Sequence, residues 1–230
     1  MNNVFLEELF YKINKTNLKY CVLRGYEGLP EVVKNDIDFG VAPENKIEFF
    51  SILKSLSLKH NYTIKIELIR FCVIKMGLNS ESGAVLKIDV WWGFNIAGLQ
   101  YMDITDLVNS RKLYRNRFFI PSKEYEFALS FLKEMLHNNW IRKDKIDNLK
   151  SLVTENYHIA FKKFFNKNEV DEFILAVRKN KYEISKLSHK SKFKLIFYNI
   201  KYITLIVAFK NIYLFLKFKY FYKDEYDYLI

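Results

Sequence analysis

Asn35-Asp36-Ile37-Asp38-Phe39 is the stretch that decides how this chain folds. Acidic and apolar residues alternate in it, which is the period of a strand with one face in a core. A strand turns successive side chains to opposite faces. Asp36 and Asp38 therefore share one face, and Ile37 and Phe39 share the other. Two carboxylates so close repel, and each is costly to bury. Either something positive sits between them or one stays protonated. A divalent metal is the simplest answer, and Mg²⁺ favours carboxylate and phosphate oxygens.

Two further segments belong with it. Upstream, the apolar run Tyr20-Cys21-Val22-Leu23 ends in Arg24-Gly25-Tyr26, where the glycine marks a turn. Gly28 and Pro30 keep the next segment a loop. Downstream, Lys87-Ile88-Asp89-Val90 sets one more carboxylate inside a strand, followed by Trp91-Trp92-Gly93. Ile66-Glu67-Leu68 has the same apolar-acid-apolar form. Asp89 is the preferred third acid, because its strand follows a hairpin and can return beside the Asp36 strand.

A glycine turn, then Asp-x-Asp among apolar residues, then a lone Asp in a later strand resembles the DNA polymerase beta-like nucleotidyltransferase superfamily. Tyr20 to Pro30, then Asn35 to Asp38, then Lys87 to Gly93 look like a branch found among bacterial surface-polysaccharide genes. The likeness covers about residues 1–140. It implies a Mg²⁺-dependent transfer of a nucleotidyl group from an NTP to an acceptor in polysaccharide or cell-envelope biosynthesis. The acceptor is a sugar, a sugar phosphate or another small molecule. Two Mg²⁺ ions, with Mn²⁺ as the alternative, would lie ~3.5–4 Å apart. The resemblance assigns Asp36 and Asp38 to both ions and Asp89 to the ion nearer the acceptor. It assigns Arg24, Gly25 and Tyr26 to the nucleotide's phosphates. Tyr26 departs from the pattern, which has Gly or Ser at that position. The alternatives are a non-catalytic binding or scaffold protein of the same fold, and an antibiotic-modifying nucleotidyltransferase.

The remaining pattern predicts an α+β chain. A helix over 4–15 precedes the first strand, and another over 44–58 follows the second, with Ile47, Phe50, Leu53 and Leu56 on one side. Residues 62–76 alternate as one long strand or two joined ones, with Tyr62, Ile64, Ile66 and Leu68 on one face. The cluster Asn79-Ser80-Glu81-Ser82-Gly83 turns the chain back into 85–92. A helix is expected over 104–113, and another beginning at Ser122 and running towards Trp140. Beyond this the signal is helical, with breaks near 166–168 and 179–181. The expected architecture is a nucleotidyltransferase-fold catalytic domain over 1–120, a small mixed sheet with flanking helices. A helical domain follows over 121–230.

Composition narrows the class. Half of the 230 residues are hydrophobic, enough for a proper core. The net charge of +11 is spread along the chain. No nucleic-acid module accompanies it, so specific nucleic-acid binding is not expected. Cys21 and Cys72 lie in apolar runs and read as buried free thiols. No basic region precedes an apolar core at the N-terminus, and no run reaches the ~20 apolar residues of a spanning helix. A cytoplasmic enzyme is the expectation. Residues 190–222 are aromatic and rich in lysine, so peripheral contact with the inner membrane face is considered. The lysines fall on two sides of a helix, however, and packing within the protein is preferred.

Overall fold

A computed structural model describes residues 3–70, 72–96 and 99–200 of the chain. Asn3–Lys15 (α1) carries Phe5, Leu6, Leu9, Phe10 and Ile13 on one buried face. Tyr20–Val22 (β1) and Ile37–Val41 (β2) follow, then a short 3-10 turn and Lys46–Lys59 (α2). Three strands come next: Tyr62–Arg70 (β3), Val73–Ser80 (β4) and Val85–Trp91 (β5). Together the five strands make one sheet in the order β1-β2-β5-β4-β3. Only β2 and β5 run parallel; the other neighbours are antiparallel. The sheet is therefore mixed, and the expected α+β architecture is present.

Parity along the strands sorts the two faces. Ile37, Phe39 and Val41, with Ile88 and Val90, Ile74, Met76 and Leu78, point to one side and are buried. That side meets α1 and α2. The Phe39 ring lies 6.1 Å from Phe10 and 5.1 Å from Phe49. Removing this apolar surface from water is the main stabilising term of the unit. The opposite side carries Asp38, Asp89, Trp91 and Lys75, as the registers Asp38↔Asp89 and Lys75↔Asp89 require.

Several elements depart from the pattern reading. Residues 62–80 form two strands joined at residues 71–72, so 62–91 is a three-stranded meander and not one hairpin. A bulge at Glu67 shifts the register between Ile66 and Leu68. It moves Leu68 to the face of Lys75 and gives its place over the core to Ile69. In α2 the buried side is Phe49, Phe50, Leu53 and Leu56, while Ile47 is 80% exposed. The expected helix over 104–113 stops early. Ile104–Asn109 (α3) gives way to a hairpin of Lys112–Tyr114 (β8) and Phe118–Ile120 (β9). A second small hairpin, Phe94–Ile96 (β6) with Leu99–Met102 (β7), precedes it.

The rest is helical: Lys123–Lys133 (α4), Lys143–Leu152 (α5), Lys167–Arg178 (α6) and Ser185–Ile200 (α7). A π-helical turn, Glu134–Asn138, ends α4. There the buried Glu134 carboxylate receives Arg142 through Nε and Nη2. Asn166 caps α6 in a reciprocal capping box with Glu169, at the break expected there. Ser122 does precede α4, but its hydroxyl makes no capping bond.

The chain divides into two compact units. Among the described residues, one holds residues 3–93 with Arg111–Ile120, and the other holds Phe94–Ser110 with residues 121–200. In the first, Phe118 of β9 is stacked on Phe10 at 4.5 Å, and Phe119 meets Tyr20 edge-on. In the second, the Asn199 side chain on α7 bonds both backbone groups of Gln100 on β7.

Three lysines of α7 have partners within their own unit. Lys192 donates to Asn139, Lys194 pairs with Glu169, and Lys190 with Glu172. No helix among the described residues is long and apolar enough to cross a membrane. The part of the 190–222 segment beyond residue 200 lies outside the described residues.

Candidate functional site

Asp38 and Asp89 are paired residues on the parallel strands β2 and β5, on the same face of the sheet. Each is only 3% exposed. Asp36 lies one residue before β2 and is exposed. Glu67 is exposed too, on the outer strand β3. The topology thus joins Asp89, and not Glu67, to Asp38.

Two like charges at adjacent buried positions need compensation, and side chains of this unit supply it. Arg24 reaches across from the end of β1. Its Nε lies 2.5 Å from Asp38 Oδ2 and its Nη2 lies 3.2 Å from Oδ1, a two-pronged contact. Trp91 donates its indole Nε1–H to Asp38 Oδ1 at 3.0 Å. Lys75 stands opposite Asp89 on β4 and donates Nζ–H to Asp89 Oδ2. The face therefore reads Arg24, Asp38, Asp89, Lys75 from strand to strand: two anions between two cations.

The ionisation preferences follow from this arrangement. Burial raises the Asp89 pKa above its ordinary value; the Lys75 hydrogen bond opposes this, and the charges of Asp38 and Asp36 add to it. Burial works against the Arg24 charge as well. The Asp38 hydrogen bond and the fields of Asp38, Asp89 and Asp36 outweigh it and raise the Arg24 pKa. Asp36 lies ahead of the row, and its charge is felt at both Arg24 and Asp89.

The glycine turn has an open flank. Gly25 has φ +66°, a conformation that favours glycine, and nothing lies within 4 Å of where a Cβ would stand. Its backbone is open to a close approach. Tyr26 is different: its side chain is buried in the core, 5.1 Å from Tyr114 and edge-on to it. Tyr26 thus offers the turn a backbone and not a phenol. The two tryptophans also divide. Trp91 binds Asp38, whereas Trp92 packs partly buried against the core with Lys46 Nζ 4.7 Å from its ring centre.

Sequence reasoning missed Lys75 and the hydrogen-bonding role of Trp91. Lys75 lies in Val73-Ile74-Lys75-Met76, where a lone cation interrupts an apolar strand run. That is the mirror image of the Asp89 signal, and it was available. Among the described residues no group of three or more His, Cys, Asp or Glu is gathered closely enough to hold a metal ion. Two of the four histidines make structural contacts: His60 bonds Glu8, and His137 sits edge-on to Tyr101. Cys21 is a buried free thiol, as expected. Cys72 is a half-buried thiol outside any disulfide, and burial pushes its pKa up to about 11.

Comparison with known proteins adds the following. No protein-family model matches the chain, and no curated protein matches it. Two crystal structures from Helicobacter pylori share its general course. One is the protein JHP933, with a TM-score of 0.38 and 9% identity over 91% of this chain and 97% of that one. The other is a proposed nucleotidyltransferase, with a TM-score of 0.38 and 10% identity over 85% of this chain and 94% of that one. Likeness at this level carries no argument about residues or chemistry, which rest on the site itself.

Proposed function

We propose that this chain is a Mg²⁺-dependent nucleotidyltransferase-type enzyme that moves a nucleotidyl group from an NTP to a small acceptor. The observation that carries the reading is the β2–β5 register. It sets Asp38 beside Asp89 one strand from a glycine turn with an open backbone and an arginine. The surface-polysaccharide or cell-envelope setting, with a sugar or sugar phosphate as acceptor, is part of the same proposal and rests on the sequence resemblance. A cytoplasmic location, the expectation drawn from the sequence's hydropathy, belongs to the same proposal.

Asp36, Asp38 and Asp89 offer the carboxylate oxygens that a hard divalent ion prefers, but in this structure they are not gathered around one point, and Asp38 and Asp89 are paired with Arg24 and Lys75. Asp38, with Asp36 beside it in sequence, would hold Mg²⁺ or Mn²⁺. Bound there, it would supply the positive charge that neutralises phosphate oxygens and a departing pyrophosphate. The rest falls to the chain's own groups. Arg24, with its side chain half open to solvent, can exchange Asp38 for a phosphate while keeping its planar two-pronged geometry. The backbone at Gly25 admits a phosphate where any Cβ would be strained. Trp91 holds Asp38 in one orientation when Arg24 leaves it. Burial of the Asp38 carboxylate limits how far water screens its side of these contacts.

The reading is tested by calorimetric titration of each NTP into the full-length protein with and without Mg²⁺, and by pyrophosphate release with candidate acceptors. Metal-dependent NTP binding lost in Asp38→Asn is the expected result. NTP binding indifferent to both metal and Asp38 would refute it. A second reading has one observation in its favour. Each buried acid already has a side-chain cation, so the row is electrically complete as a non-catalytic binding or scaffold site. Binding of NTP with no pyrophosphate released would favour that reading.

A further inference from the structure

Basic residues are spread along the sequence, but the fold gathers one set of them. Residues 9–26 and 107–123 contain no acid. Lys12 and Lys15 lie in the first stretch; Arg111, Lys112, Arg115 and Arg117 lie in the second. The β8–β9 hairpin brings the two together. Phe118 and Phe119 fix it to Phe10 and Tyr20, and Asn14 Nδ2 donates to the Arg117 carbonyl at 2.7 Å. Nearby acids are already engaged: Glu31 pairs with Arg117, and Glu8 with Lys12, Lys59 and His60. Lys15, Lys112 and Arg115 are exposed and have no carboxylate partner among the described residues. Between the turn and α1 runs a groove of about 440 Å³, with Lys15, Arg117 and the amides of Asn14 and Asn116 in its lining. Glu7 lines it too, two helical turns back from Lys15.

We propose that this hairpin and the end of α1 form a docking surface for an anionic membrane. Charge complementarity supports it, because anionic lipid draws each nearby Lys or Arg by a screened attraction. The groove has the volume of a small-ligand site and gives a phosphate headgroup two cations, Lys15 and Arg117. The apolar part is Leu113, which stands beside the turn and is 51% exposed. Such a side chain gains by entering the boundary between headgroups and acyl chains. A single strand of nucleic acid would instead need aromatic faces for its bases. The rings of the hairpin are turned inward: Tyr114 meets Tyr26, and Arg115 covers Tyr114 at 5.1 Å. Tyr11 is exposed, but Lys15 Nζ stands 4.6 Å from its ring centre. This surface does not depend on the nucleotidyltransferase reading, and it is separate from residues 190–222.

The full-length protein is sedimented with vesicles of phosphatidylcholine, with and without phosphatidylglycerol. Pelleting is expected only with the anionic lipid and should fall as salt rises. Each cation removed should weaken binding about fivefold, so Lys112→Gln with Arg115→Gln should lose about twenty-five-fold. Leu113→Ser should weaken binding by an amount that salt does not change. These side chains are exposed and leave Phe118 in place, so the variants should melt with the wild type. Lys217→Gln with Lys219→Gln, outside the described residues, should bind as the wild type does. Pelleting that survives the hairpin changes and is lost with Lys217 and Lys219 would overturn the proposal, as would equal pelleting with neutral vesicles. A single-stranded oligonucleotide held more tightly than the vesicles, through Lys112 and Arg115, would overturn it in favour of nucleic acid. NTP binding is measured separately, and none of these outcomes bears on it.

Discussion

Asp36 and Asp38 look equivalent in the sequence, yet the molecule treats them differently. An alternating pair of acids suggests mutual repulsion, and removing either should then leave stability unchanged or raised. Asp36 fits, being exposed and ahead of the strand. Asp38 does not, because Arg24 and Trp91 both depend on it. Asp38→Ala is expected to lower the unfolding free energy by about 1–3 kcal/mol, the cost of losing the hydrogen bonds made to its buried, charged carboxylate. Asp36→Ala should stay within about 0.5 kcal/mol, as an ordinary surface change does. Paired urea titrations measure the difference; equal losses at both positions would show that the Arg24 contact contributes nothing. The pattern of residues revealed the acids because an acid in an apolar strand is conspicuous. It concealed their partners because Arg24 and Lys75 reach them across strands, and pairing across strands is not written in local spacing.

At the scale of the element, legibility followed the turn chemistry. Helices and strands with strong periods were readable: α1, β2, β5 and α6 fall where their spacing puts them. The turn between β8 and β9 was not. It consists of Arg115, Asn116 and Arg117, the first two left-handed at φ 48° and 55°, where hairpin turns usually carry glycine. Arg70-Phe71-Cys72-Val73 likewise contains none of the usual turn residues, so the sequence leaves open whether β3 and β4 are one strand or two joined ones. The α1–α2 contact yields a prediction of its own. Lys59 and His60, at the end of α2, bond Glu8 on α1 and hold its pKa at about 2, below the ordinary 4.5. A carboxylate so depressed contributes stability above pH 4.5 and loses it as the pH falls towards about 2. Glu8→Gln should therefore melt below the wild type at neutral pH, and the gap should close between pH 4.5 and 2. A gap of constant size down to pH 2 would mean that the ionised carboxylate is not its cause.

The two units divide the whole molecule along lines that differ from a simple cut at residue 120. The change in composition from mixed to helical is legible there, and it marks where helices take over. It says nothing of residues 94–110, which belong with the helical unit, or of 111–120, which belong with the sheet. Such exchanges come from tertiary packing, and the decisive residue is one phenylalanine. Phe118 is fully buried, stacked on Phe10 and 5.5 Å from Tyr114. Phe118→Ala is expected to cost about 3–5 kcal/mol through lost burial and the cavity left behind. Equilibrium unfolding followed by intrinsic fluorescence would measure it. A loss under about 1 kcal/mol would show the hairpin to be a surface ornament, and the division of units would have to be redrawn.

This interleaving has a consequence for synthesis. A ribosome delivers the chain from residue 1 onward, and domains generally fold as they emerge. All five strands of the sheet have been delivered once Trp91 is out. The residue that seals the Phe10 side of its core arrives only after seventeen residues, 94–110, of the other unit have passed. The nascent sheet must wait with Phe10 and the outer edge of β1 uncovered, and those surfaces are what a chaperone at the exit tunnel would meet first.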